Sequence, residues 1–88
     1  MLLERIIEQE IDGKNVRTVN IFYSSETYDA RYSLVEEADE FKVSGTISLR
    51  NNILIPFELH QPTNDLFEAK HMTEQVIESM VSEFGAIF

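Results

Sequence analysis

From Phe41 to Arg50 the chain alternates without a break, with Phe41, Val43, Gly45, Ile47 and Leu49 set against Lys42, Ser44, Thr46, Ser48 and Arg50. An extended backbone turns its side chains to opposite sides every second residue, so this segment predicts a strand with one dry and one wet face. Such a strand needs partners for its backbone hydrogen bonds and a cover for its dry face. The rest of the sequence can be read as the supply of both.

Partners come from both sides. Asn51-Asn52 is a pair that tolerates the left-handed backbone of a tight turn, and Ile53, Ile55, Phe57 and Leu59 then resume the odd-numbered apolar row, which predicts a hairpin. Pro56 has no N–H to donate, so this second strand belongs at a sheet edge. Upstream, Tyr28, Ala30, Tyr32 and Leu34 alternate with Asp29, Arg31, Ser33 and Val35. Val16 to Tyr23 is rich in β-branched and aromatic residues, with Val19, Ile21 and Tyr23 on one side and Thr18, Asn20 and Phe22 on the other. The expectation is an antiparallel four-stranded meander with strands near 16–23, 28–35, 41–50 and 53–60.

The N-terminal segment reads two ways. Asp12-Gly13-Lys14-Asn15 is a turn signal that would fold residues near Arg5 to Ile11 back as a fifth strand, whereas Leu2, Leu3, Ile6 and Ile7 also fit one face of a short helix. We take the helix first. Placed on the outer face of the sheet, it would bury its apolar side against Phe22, Val35 and Leu54.

The cover comes last. Beyond Pro62 the apolar positions Leu66, Ala69, Met72, Val76, Ile77, Met80 and Phe84 recur at three- and four-residue steps, with Phe67 and Val81 widening the stripe, which predicts an amphipathic helix of about five turns. Thr63, Asn64 or Asp65 can cap its start, Gly85 can end it, and Ile87 and Phe88 can fold back on its last turn. The fold class is therefore α+β, with the sheet packed on one C-terminal amphipathic helix in a single domain over residues 1–88.

Composition bounds function mostly by exclusion. A chain of 88 residues buries roughly 60–65% of its unfolded surface, enough for one core. The absence of cysteine excludes a disulfide scaffold, a thiolate zinc site and a cysteine nucleophile. No apolar run reaches the roughly 18 residues of a membrane span, and the start Met1-Leu2-Leu3-Glu4-Arg5 carries acid where a secretory signal would carry base, so a cytoplasmic location is expected. A formal charge of −9 repels phosphate backbones and favours encounter with basic partners. Direct nucleic-acid binding is not expected; a protein partner with a basic surface is.

No catalytic or metal-binding constellation emerges. His60 and His71 bracket Asp65 and Glu68 without a compact ligand spacing, so they read as solvent-facing histidines beside a turn, and no cofactor is implied. Glu58 and His60 alternate on one strand and would both point to its wet face, open to water. An enzyme would need them, or Tyr28 and Tyr32, to line a deep pocket. Ser24, Ser25 and Ser44 have no histidine at an identifiable spacing, and three glycines supply no phosphate loop.

The densest charge feature is Glu36, Glu37, Asp39 and Glu40, which Glu26 and Asp29 would join if the neighbouring loop folded close. It is read structurally as a solvated hairpin tip and functionally as a negative patch for a basic partner. No stretch carries a motif that matches a known family, and the likeness in size, charge and lack of catalytic residues to small acidic inhibitors from phages and mobile elements is one of composition alone. The charge of −9 with no chemical site leads instead to the expectation of a non-catalytic module that binds another protein, in its sharpest form by occupying a nucleic-acid-binding surface. The alternative is a structural subunit that self-associates, as a homodimer for instance, through the sheet edge or the helix, motivated by Met72, Met80, Phe84, Ile87 and Phe88.

Overall fold

The computed structural model describes residues 1–50 and 52–85. Its elements run β1 (Leu2–Ile11), β2 (Lys14–Ser24), β3 (Tyr28–Glu37), β4 (Glu40–Leu49), β5 (Leu54–Gln61) and α1 (Leu66–Gly85). The strands form one open sheet in sequence order, antiparallel throughout. Two-residue turns join β1 to β2 and β3 to β4: Asp12 and Gly13 carry φ of 52° and 77°, and Ala38 and Asp39 carry 50° and 62°. This left-handed pair matches the twist of the flanking strands. Asn52, at φ 69°, accommodates the turn into β5, and Asn51 lies outside the described residues.

The register sorts the residues as the alternation requires. Val19, Leu34, Val43 and Leu59 lie side by side across β2 to β5, as do Ile21, Tyr32, Gly45 and Phe57. These rows face the helix, and Phe41, Ile21, Leu34, Ile47, Val19 and Val43 are all but sealed from solvent. The helix packs on β4 and β5 along Ala69, Thr73 and Ile77, whose four-residue spacing draws one line along a cylinder. Ala69 and Thr73 are small enough for close approach. The Thr73 hydroxyl donates to the Ala69 carbonyl at 2.8 Å and accepts from Gln61 Nε2 at 3.3 Å, which satisfies this buried polar pair.

Asp65 caps the helix: its Oδ1 accepts from the Glu68 N–H at 3.2 Å, and the Glu68 carboxylate meets the Thr63 hydroxyl at 3.3 Å. Gly45 serves a different purpose. A Cβ placed there would overlap the Arg31 carbonyl oxygen and the Tyr32 Cβ, so glycine is what lets Tyr32 lie across β4 with its ring 6.1 Å from that of Phe57.

Three expectations change. The N-terminal segment is a strand, not a helix: β1 pairs with β2 over its whole length, from Leu2 opposite Tyr23 to Ile11 opposite Lys14. β3 pairs with one edge of β2 only, and β1 satisfies the backbone groups of the other. Consequently the segment extends the sheet instead of covering its outer face, where Phe22 sits under the Arg31 guanidinium at 5.2 Å and Leu54 is 66% exposed. Phe67 does not widen the helical stripe; it points outward, 80% exposed. The fold-back assigned to Ile87 and Phe88 lies outside the described residues.

Candidate functional site

Two carboxylates of the acidic tip pair with cations and a third with a histidine. Glu36 pairs with Arg17, whose guanidinium also lies 5.8 Å from the Phe41 ring; Glu37 pairs with Lys42 at 3.1 Å; Glu40 pairs with His60 Nε2 at 2.7 Å. Asp39 occupies the turn itself. Glu26 and Asp29 do not join this cluster. They lie at the opposite end of β3, because a ten-residue strand separates the two turns by about 30 Å. There Arg50 bonds both Asp29 carboxylate oxygens, at 2.9 and 3.1 Å, and the Glu26 carbonyl at 3.4 Å. The Ser24 hydroxyl donates to Asp29 at 2.6 Å, and this bond, with Arg50, holds the Asp29 carboxyl below its usual range.

The histidines and tyrosines separate as well. Glu58 and His60 occupy the outer face of β5, His71 stands on the exposed side of the helix, and Tyr28 and Tyr32 face the helix from β3. No single pocket unites them.

Two features were not found from the sequence as sites. The first is β1. It is exposed along almost its entire length, with Leu2, Leu3, Ile6 and Ile11 each more than half exposed. Met1 and Ser24 exchange both backbone bonds, at 2.7 and 2.9 Å. In an antiparallel ladder this pattern repeats every second residue, so the odd-numbered residues of β1 bond β2 and the N–H and C=O groups of Leu2, Glu4, Ile6, Glu8 and Glu10 point away from the sheet. That row is unpaired backbone, long, without proline and flanked by apolar side chains.

The second is a cavity of about 240 Å3 between the helix and the strands nearest β1. Tyr23, Tyr28 and Tyr32 wall it, Glu74 and Glu78 stand at it from the helix, and Leu2 lines it on the β1 side. The Tyr23 and Tyr28 rings lie 5.4 Å apart, tilted by 43°. Tyr32 is only 4% exposed, and none of the three phenol groups has a hydrogen-bond partner among the described residues. No side-chain polar atom there is both sealed and unpartnered, so the Tyr32 hydroxyl opens into the cavity. Burial, then the Glu74 carboxylate, pushes the Tyr32 phenol far up; burial, then Tyr23, Glu78 and Glu74, raises Tyr28. The cavity thus presents neutral phenols beside carboxylates.

Glu74 and Glu78 carried a signal that could have been read: they are four apart on the flank of the helical stripe, hence neighbours on one face. Which strands they would overlook was set by packing. Among the described residues no group of three or more His, Asp or Glu side chains converges on a metal position, and no helix is long and apolar enough to cross a membrane. Comparison with known proteins found no matching family model, curated protein or solved structure.

Proposed function

We propose that this chain is a non-catalytic module that binds another protein with a basic surface, and that it docks through the open edge of β1. The observation that carries this reading is the ten-residue β1 strand, whose outward backbone row is unpaired and whose apolar side chains are exposed on both faces. A partner strand added there would gain main-chain hydrogen bonds for affinity and side-chain contacts on alternate positions for specificity. Glu4, Glu8 and Glu10 share the helix-facing side of β1, so a strand with Lys or Arg on that side complements it. The net charge of −9 speeds encounter with such a partner, and where the basic surface is one that holds nucleic acid, the module acts as a competitor for it.

A second copy of the chain fits the edge less well. A two-fold axis normal to the sheet keeps each residue opposite one of its own face. Registers centred on Glu4, Arg5, Ile6, Ile7 and Glu8 then set Glu4 against Glu4, Arg5 against Arg5, Glu4 against Glu8, Glu4 against Glu10 and Glu8 against Glu8. Like charges directly opposite are destabilising. Self-association is the second reading, and a concentration-independent monomer in sedimentation removes it.

The test compares captured proteins. Ile6→Pro removes one outward N–H while leaving the β1–β2 bonds, which use odd residues; it should abolish capture of the partner that the native chain retains at low salt. Retention of that partner by Ile6→Pro would refute the edge, and insensitivity to salt would refute the charge complementarity.

A further inference from the structure

We propose that the Tyr23–Tyr28–Tyr32 cavity is a recognition site for a guanidinium group, the arginine side chain of the strand that docks on β1. The source of the cation rests on the docking reading above; the affinity of the cavity for the cation does not.

The chemistry of the lining selects the ligand class. Every side chain at the cavity is apolar, phenolic or acidic, and the cations on neighbouring residues are engaged: Lys70 by both oxygens of Glu4 at 2.8 Å, and the Met1 ammonium by the Ser24 carbonyl at 2.7 Å. An anion would meet two carboxylates with nothing to offset them. A neutral apolar group would leave the Tyr32 hydroxyl, on a side chain 4% exposed, without a partner. A cation suits both: aromatic faces attract positive charge, and carboxylates at the mouth complete the pairing.

The shape of the lining selects among cations. An ammonium is compact and strongly hydrated, whereas a guanidinium is planar, more weakly hydrated and carries five donors in a fixed fork. Tyr23 and Tyr28 line the cavity as a tilted ring pair with centroids 5.4 Å apart, and Glu74, Glu78 and the Tyr32 hydroxyl supply acceptors in the same lining. A volume of about 240 Å3 leaves room for the side-chain terminus.

The position of the mouth selects the source. Leu2 lines the cavity and is also a residue whose own N–H and C=O point outward from the edge. A docked residue opposite Leu2 projects to the same face, one strand spacing of about 4.8 Å from Leu2 and two, roughly 10 Å, from Tyr23, so an extended arginine enters the cavity from its Leu2 and Tyr23 side.

Two titrations test this. In the first, N-propylguanidinium is followed by the tyrosine ring and Ile77 methyl resonances, with N-propylurea as the neutral shape control and butylammonium as the competing cation. Saturable shifts confined to the cavity, strongest for the guanidinium, are expected. Unmoved rings, equal shifts from the urea, or stronger binding of butylammonium would overturn the assignment. In the second, an extended peptide of alternating Thr and Val with one central Arg is compared with its citrulline twin. The Arg peptide should bind about 10-fold more tightly, and Glu74→Gln with Glu78→Gln, two exposed positions, should erase that difference. If both peptides bind alike, the cavity assignment fails and the edge stands. If neither binds while N-propylguanidinium does, the cavity stands and the edge fails. Tyr32→Phe keeps the ring and removes only the hydroxyl; it should weaken N-propylguanidinium several-fold, and an unchanged affinity would remove that hydroxyl from the site.

Discussion

Strands β1 and β4 are equally long and equally regular in their backbone, yet one is buried on a whole face and the other on none. In β4 the apolar residues recur every second position, so a single face collects them all and the helix can seal it. In β1 they come as adjacent pairs, Leu2-Leu3 and Ile6-Ile7, which a strand splits between its two faces. No single cover could bury both. Apolar content alone therefore does not decide burial; its phase against the backbone period does, and residues out of phase are left exposed.

Truncation measures this contrast most directly. Phe41→Ala should cost about 3–5 kcal/mol in urea unfolding, because it opens a cavity under the helix, whereas Ile6→Ala should cost under about 1 kcal/mol. Similar losses at the two positions would mean that β1 is covered in solution. Proline sharpens the comparison to single hydrogen bonds. Ile7→Pro removes a bond to β2 and should destabilise the protein by about 1–2 kcal/mol more than Ile6→Pro, whose N–H points outward. Equal penalties would break the assigned register. In binding, charge reversal at Glu36, Glu37, Asp39 and Glu40 should slow association only a few-fold, since three of the four are already paired, while Ile6→Pro removes it. A larger effect from the tip than from the edge would restore the tip as the docking site.

The smallest effects are those of pH. The Tyr32 and Tyr28 phenols are raised in the folded state, so they favour folding fully below their ordinary value of 10.0, and this contribution falls as pH rises through the folded values. Stability should decline above about pH 10, and Tyr32→Phe should flatten that decline. Asp29 is lowered, so its contribution is present above the usual carboxylate range and lost as pH falls through the folded value. Asp29→Asn should leave the acid limb of the stability curve slightly shallower.

Most of the sheet was legible because burial of one face imposes period two on β2 to β5, and the change of period past Pro62 marked the helix. The N-terminus was misread for the reason that makes it interesting: Leu2, Leu3, Ile6 and Ile7 sit one and four apart, a helical spacing, and an edge strand wet on both faces has no period-two signature to oppose it. The turn at Asp12-Gly13 and the open second edge of β2 decided the matter instead. The acidic residues were legible as charge but not as pairs, since Arg17 and His60 reach them only across the sheet. Tyr28 and Tyr32 enter the sequence reading only as residues that a deep pocket would need; that they meet Tyr23, Glu74 and Glu78 in one cavity is set by tertiary packing, which no local pattern encodes.

The unprotected edge also governs how the molecule behaves in concentrated solution. Mutual repulsion among copies bearing −9 opposes the zipping together of exposed ladders, so dissolved electrolyte, by screening that repulsion, should promote stacking through the edge, which light scattering against salt concentration would measure. Storage in dilute buffer near neutral pH should keep the material monodisperse, and acidification toward the isoelectric point of about 4.5 should make it cloud.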